Sequence, residues 1–237
     1  MITIQNISYT YPKKKQMTLA PLSFSIASGE FISILGPSGC GKTTLANILA
    51  GYFKSQTGEI LIDGKQVKNP GKNRIVMNQE NDLFVWMTVW ENMKLVERDE
   101  KKILTYLTLV GLETYKGYYP NELSGGMKKR LSLARALVVD PEFLILDEPF
   151  DSLDQHMKES LHVELNRIFT VTKKTIVLIT HDIDEAIFLS DRVVVLGEQP
   201  TSIVHQVAIN FPNPRELRMK KTKKFAAYRM NITKSYR

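Results

Sequence analysis

Cysteine is almost absent from this chain. The single Cys40 cannot form an intrachain bridge, so no disulfide framework holds the fold. Long apolar runs are missing as well, and no stretch approaches the ~18–20 apolar residues that span a bilayer. The first residues, Met1-Ile2-Thr3-Ile4-Gln5, lack the charged start and apolar core of a secretory signal. The expectation is a protein of the cytosol or of a cytosolic surface. No internal repeat, low-complexity tract or linker divides the 237 residues. Excess charge is also absent from most of the chain. The net charge is +7, but nine Lys/Arg stand against one acid between Arg215 and Arg237, which leaves the body near neutral. A nucleic-acid protein would carry its basicity on the body. The basic end reads as solvated, with contact to anionic lipid or to a partner as the alternatives.

What is present is ordinary in bulk and specific in detail. Hydrophobic residues make up 43% and charged residues 24%, the balance of a soluble domain long enough to bury a sizeable core. The stretch Gly36-Pro37-Ser38-Gly39-Cys40-Gly41-Lys42-Thr43 has the phosphate-loop pattern. An apolar run, Phe31 to Leu35, leads into it and a helical run, Thr43 to Ala50, leads out. Glycines let the backbone turn its N–H groups toward phosphate oxygens. The helix start adds unpaired donors and a positive dipole end. Lys42 supplies a point charge for the β- and γ-phosphates, and the Thr43 hydroxyl can bind Mg²⁺. Cys40 occupies a variable position of the loop and reads as a small residue that fits, with no sign of a reactive thiol.

Two β-runs, Met1 to Tyr11 and Leu19 to Ile26, precede the loop and predict a small antiparallel sheet beside the nucleotide. Tyr11 is open to two readings, a base-stacking ring or a packed strand tyrosine. Gly58 to Gly64 reads as a short strand ending in an Asp-Gly turn, and Arg74 to Met77 as a buried strand followed by the polar loop Asn78 to Asp82. Gln79 in that loop can offer an amide oxygen to a metal or a water. The run Leu83 to Trp90 holds both tryptophans, which suggests a docking surface, with an internal plug as the alternative. Thr88 to Arg135 is helix-rich, and Ile103, Leu104, Leu107 and Val110 fall on one helical face. Ser124-Gly125-Gly126 at the start of the helix Lys128 to Val139 forms a second anion-binding nest.

Phe143-Leu144-Ile145-Leu146 closes on Asp147 and Glu148. That is a buried parallel strand presenting carboxylates at the crevice where α/β sheets bind ligands. One carboxylate can hold Mg²⁺ and the other can orient the attacking water. A helix to about Thr170 follows. A further buried strand, Thr175 to Thr180, ends in His181, which points into the same crevice and reads as a γ-phosphate contact. His156, His162 and His205 lack such a context and read as surface residues.

These pieces resemble the ATP-binding cassette (ABC) transporter ATPases over nearly the whole chain. In order stand Tyr11, Gly36 to Thr43, Gln79, Leu123-Ser124-Gly125-Gly126-Met127, Asp147-Glu148, Ser152-Leu153-Asp154 and His181. Met127 in place of the usual glutamine looks like the importer branch for nitrate, sulfonate, taurine and related solutes. So do the run Asp82 to Asn92, Asp182 to Ala186, and Pro212-Asn213-Pro214-Arg215; Val85 departs from that branch, which usually has proline there. The resemblance implies an α/β fold: a P-loop NTPase cassette with a RecA-like core, an N-terminal antiparallel β subdomain and an α-helical subdomain inserted at about 88–138. The cassette would cover 1–214, with a basic tail over 215–237 and no large appended regulatory domain. ATP and Mg²⁺ are the implied cofactors. Gly36, Pro37, Ser38, Gly39, Cys40, Gly41, Lys42, Thr43 and Thr44 would cradle the phosphates, and Thr43, Gln79 and Asp147 would serve the metal. Glu148 would polarise water and His181 would hold the γ-phosphate, with Lys42 and Gln79 beside them. Ser124, Gly125 and Gly126 would complete the site of a second cassette in a head-to-tail dimer. The implied partners are a transmembrane permease, docked after Gln79, and indirectly an extracellular solute-binding protein. No nucleic acid is implied, and the place would be peripheral, on the cytoplasmic face of the membrane.

Two other readings share this chemistry: the ATPase subunit of an exporter, and a soluble cassette protein acting on ribosomes or DNA ends. The interval between Lys42 and Ser124 leaves no room for the long coiled coil of the DNA-end type. The transported solute is not legible, because a permease and a binding protein choose it.

Overall fold

A computed structural model describes the chain except for residues 13–14, 79–81, 152 and 237. In chain order the elements are β1 (Ile2–Tyr9), β2 (Leu19–Ile26), β3 (Phe31–Leu35), α1 (Lys42–Ala50), β4 (Thr57–Ile62), β5 (Lys65–Gln66) and β6 (Arg74–Met77). Then come α2 (Val89–Lys94), α3 (Glu100–Leu109), α4 (Gly125–Val138), β7 (Phe143–Asp147), α5 (Gln155–Thr172), β8 (Thr175–Thr180), α6 (Ile183–Leu189), β9 (Arg192–Leu196), β10 (Ile203–Ala208) and α7 (Lys223–Ser235).

The continuous apolar runs make a large sheet in the order β10-β9-β3-β8-β7-β6, parallel throughout except for β10. Every residue of β3, β7 and β8 is buried, as strands covered on both faces require. Alternation divides them between two cores. Phe31, Leu35, Ile176 and Leu178 face the helices α2 to α7. Ile32, Ile34, Val177 and Ile179 face α1 and the smaller sheet β2-β1-β4-β5, which is antiparallel. The parallel register brings the carboxyl ends of β3, β7 and β8 to one edge. The phosphate loop, Glu148 and His181 leave the sheet there.

Three expectations change on folding. Ile103, Leu107 and Val110 are buried, but Leu104 is exposed, because the helical stripe that meets α4 is narrower than the sequence pattern. The basic end is not a solvated tail. Phe225 and Ile232 on α7 are fully buried, each worth about 1.5–3 kcal/mol. Arg215 is buried too, donating to the carbonyls of Ile187 at 3.1 Å and Ser190 at 3.0 Å. On this packed helix Lys223, Lys224 and Lys234 are exposed, whereas Lys220, just before it, lies over the Phe188 ring. Finally, His162 is 2% exposed, edge-on to Phe150 at 4.7 Å. It lies on the inner face of α5 with Leu161 and Leu165. His156 is exposed and His205 half-buried.

Candidate functional site

The phosphate loop is held by close packing. Gly36 lies so near Cys40 that a Cβ would stand 2.8 Å from its Sγ. Gly41 caps α1 with φ +118°, and a Cβ there would meet Leu19 at 2.9 Å. The Cys40 thiol is buried, and burial raises its pKa, which fits a packing role. Two residues beyond β9 brace the loop. Gln199 Nε2 donates to Gly39 O at 2.6 Å, and the Thr201 hydroxyl donates to Cys40 O. Neither brace carries a sequence signal.

Lys42 is the first residue of α1 and only 4% exposed. Its ammonium donates to the carbonyls of Gly36 at 2.9 Å and Pro37 at 3.1 Å and pairs with Glu148 Oε1 at 3.3 Å. A cleft of about 470 Å³ opens over Ser38, Gly39, Gly41, Thr43 and Thr44. Tyr11 forms its outer wall. The Tyr11 hydroxyl bonds the Thr44 hydroxyl at 3.0 Å, and its ring is edge-on to Tyr9, so it is packed and lines the cleft at once.

Glu148 leaves β7 in a left-handed conformation, φ +46°, which costs a side-chain-bearing residue roughly 1–2 kcal/mol. Its N–H donates to Ile179 O at 2.9 Å, which prolongs the β7–β8 pairing by one residue and turns the carboxylate toward Lys42. The Asp147 carboxyl is buried, and one oxygen, Oδ1, has no hydrogen-bond partner. Burial pushes its pKa up, and a hydrogen bond from the Thr43 hydroxyl pulls the other way. His181 Nδ1 stands 3.7 Å from Glu148 Oε1 and 3.6 Å from Asp151 Oδ2. Burial acts to raise Glu148, but a hydrogen bond with Asp151, then Lys42 and His181, outweigh it and leave the carboxyl below its ordinary value. Burial and the Glu148 hydrogen bond raise Asp151. The two shifts run in opposite directions, so Glu148 is the more acidic carboxyl of the pair. Sequence reasoning passed over Asp151, because its meeting with Glu148 depends on the turn after β7.

Lys42, Thr43, Asp147, Glu148 and His181 thus converge at one sheet edge. Ser124, Gly125 and Gly126 do not join them. They begin α4, where Ser124 and Gly125 are exposed and Gly126 packs on Met157, and none of the three lines this cleft. Gln79 lies outside the described residues. Trp86 is 68% exposed, with its ring against Phe84. The loop that carries it is tied by Asn92, whose buried amide donates to the carbonyls of Phe84, Met87 and Thr88, each at 3.0 Å. Trp90 packs against the helical core, so the tryptophan patch is one exposed ring and one anchor.

The family model described as "ABC transporter" matches residues 19–151. The chain is 39% identical over 221 residues to the aliphatic sulfonates import ATP-binding protein SsuB of Bacillus cereus, covering 90% of this chain and 88% of the relative. It is 39% identical over 228 residues to the bicarbonate transport ATP-binding protein CmpD of Synechococcus elongatus, covering 91% of this chain and 82% of the relative. The fold matches the dimeric, post-hydrolysis structure of the cassette MJ0796 bound to ADP and Pi, with a TM-score of 0.73, 27% identity, and coverage of 90% of this chain and 100% of that one. A family match over more than half the chain, and relatives aligned nearly end to end, agree with the cleft geometry: the protein belongs to the ABC transporter family, as one of its ATPase cassettes.

Proposed function

We propose that this cassette binds and hydrolyses MgATP as a head-to-tail dimer and thereby drives uptake of a small solute through a membrane permease, at the cytoplasmic face of the membrane. The observation that carries the reading is Lys42 at the start of α1 facing Glu148 at 3.3 Å: a phosphate cradle and a general base across one cleft. The importer branch is supported by the likeness to SsuB, which serves sulfonate import, and to CmpD, which serves bicarbonate transport.

In this reading ATP lies with its base side toward Tyr11. The amides of residues 37–44 hold the phosphates together with Lys42, whose contact with Glu148 gives way to the γ-phosphate. The unpartnered Asp147 Oδ1 beside the Thr43 hydroxyl is a hard-oxygen donor set that fits Mg²⁺, with Gln79 as the further ligand. Held there, the cation would supply charge neutralisation for the phosphates. Glu148, ionised by its surroundings, accepts a proton from the attacking water. His181, beside Glu148 at 3.7 Å, contacts the γ-phosphate. Ser124, Gly125 and Gly126 of the partner subunit close the phosphates from across the dimer. The helical subdomain is inserted at about 88–138, and the cassette takes in α7, whose Phe225 and Ile232 share its core. The extracellular solute-binding protein acts only through the permease.

No described helix is long and apolar enough to cross a membrane, and in this reading the permease supplies the spanning part. Trp86 is the docking point in this reading. The test is co-purification of tagged chain from detergent-solubilised membranes, with Trp86→Ala in parallel. Wild type is expected to retain a multi-span permease and the variant to lose it. Trp90 is left intact because its removal would also loosen the helical core. Ribosomal or DNA-processing partners in place of a permease would remove the transport assignment.

A further inference from the structure

Thr180 ends β8, His181 follows, and Asp182 caps α6. Thr180 is fully buried, Glu185 on α6 is 1% exposed, and the two meet away from the nucleotide cleft. The Thr180 hydroxyl donates to Glu185 Oε2 at 2.7 Å and accepts the Asp182 N–H at 3.0 Å. One hydroxyl therefore ties the residues on both sides of His181. Glu185 is itself held, because its N–H donates to Asp182 Oδ1 at 3.1 Å. Its other oxygen, Oε1, has no hydrogen-bond partner and faces His162 Nε2 at 3.4 Å and Lys158 Nζ at 3.9 Å. A carboxylate this buried is costly, and the packing of a short helix does not require one. What it does supply is a fixed acceptor for Thr180.

We propose that Thr180 and Glu185 are positioning residues for His181: the Glu185 carboxylate fixes the Thr180 hydroxyl, the hydroxyl pins the Asp182 N–H, and the imidazole is thereby set at its distance from Glu148. Threonine has more than one accessible rotamer, so an unanchored hydroxyl frees the turn. A side chain misplaced by about 1 Å can lower turnover about 100-fold. The proposal rests on the reading of His181 as a catalytic residue.

The test is steady-state ATP hydrolysis by the purified full chain. Thr180→Val keeps the volume and removes the hydroxyl. It is expected to lower kcat about 10- to 100-fold while KM for ATP stays within about twofold. Thr180→Ser, which restores the hydroxyl, is expected to recover kcat to within about threefold. Glu185→Ala is expected to lower kcat similarly, and the double variant to be no worse than either single one, because both remove one device. Wild-type turnover in Thr180→Val overturns the proposal. So does a joint loss of Tm, ATP binding and turnover that Thr180→Ser does not repair, or additive effects in the double variant. His181→Ala separates the two levels. If it keeps turnover, the catalytic reading of His181 fails; if it collapses while Thr180→Val does not, only the positioning proposal fails.

Discussion

The starts of α1 and α4 both carry glycine, as the N-cap Gly41 in one and the first helical residue Gly125 in the other, and they are finished in opposite ways. At α4 the Ser124 hydroxyl accepts the Met127 N–H at 3.2 Å. The other helices follow that rule: Thr88, Asp99, Asp154, Asp182 and Thr222 each cap their own first turn. Among the described helices, α1 is the exception. Gly41 offers no side chain, and the first turn carries no acid. A glycine N-cap gives up about a few tenths of a kcal/mol against serine or aspartate, a loss the chain accepts at one α-helix and avoids at six. The difference is functional, since a helix start with open donors and a buried lysine is an anion site. A capped start at the surface is a helix end first, and a ligand group only if a partner brings the phosphate to it.

The largest expected effect lies on neither helix but provides the background for separating them. Glu148→Gln removes the base and keeps the shape, so turnover should fall about 10²- to 10⁴-fold, read by phosphate release. ATP binding and the dimer should persist, read by calorimetry and size-exclusion chromatography. Retained turnover would take Glu148 out of its role. In that trapped background Lys42→Ala strikes the α1 start. Hydrogen bonds to a charged group contribute about 1.5–3 kcal/mol, so ATP affinity should fall roughly 10- to 100-fold and the dimer should disappear with it. Unchanged affinity would mean that the open end of α1 does not hold the phosphates.

The sheet was legible because strands covered on both faces read as unbroken apolar runs. The ends of β3, β7 and β8 fall where the phosphate loop, the Asp147-Glu148 pair and His181 interrupt those runs. The site residues that lie at strand ends were legible for the same reason. What was hidden depends on contacts distant in sequence. Gln199 reaches the phosphate loop across 160 positions, and Arg215 reaches the end of α6. Other signals were present but outweighed. Phe225, Tyr228 and Ile232 recur at helical spacing inside the basic end, where charge dominated the reading. His162 lies on the apolar stripe of α5, which should have argued for burial.

Ser124→Ala has the smallest effect and discriminates most between the two helix starts. As a cap alone, its loss should lower stability by about 1 kcal/mol and leave everything else in place. As the donor that completes a second cassette, its loss should also weaken the ATP-bound Glu148→Gln dimer by about tenfold or more for each of the two equivalent sites, the value of one charge-assisted hydrogen bond. ATP affinity of the monomer should not change, because Ser124 does not line its own chain's cleft. The two roles draw on the same oxygen. In this structure Ser124 Oγ accepts from Met127, and its hydroxyl proton remains available to donate, so capping and phosphate contact can coexist. A dimer that survives Ser124→Ala, with stability alone reduced, would leave α4 with a cap and no ligand role, and the phosphates would be held by the α1 side only.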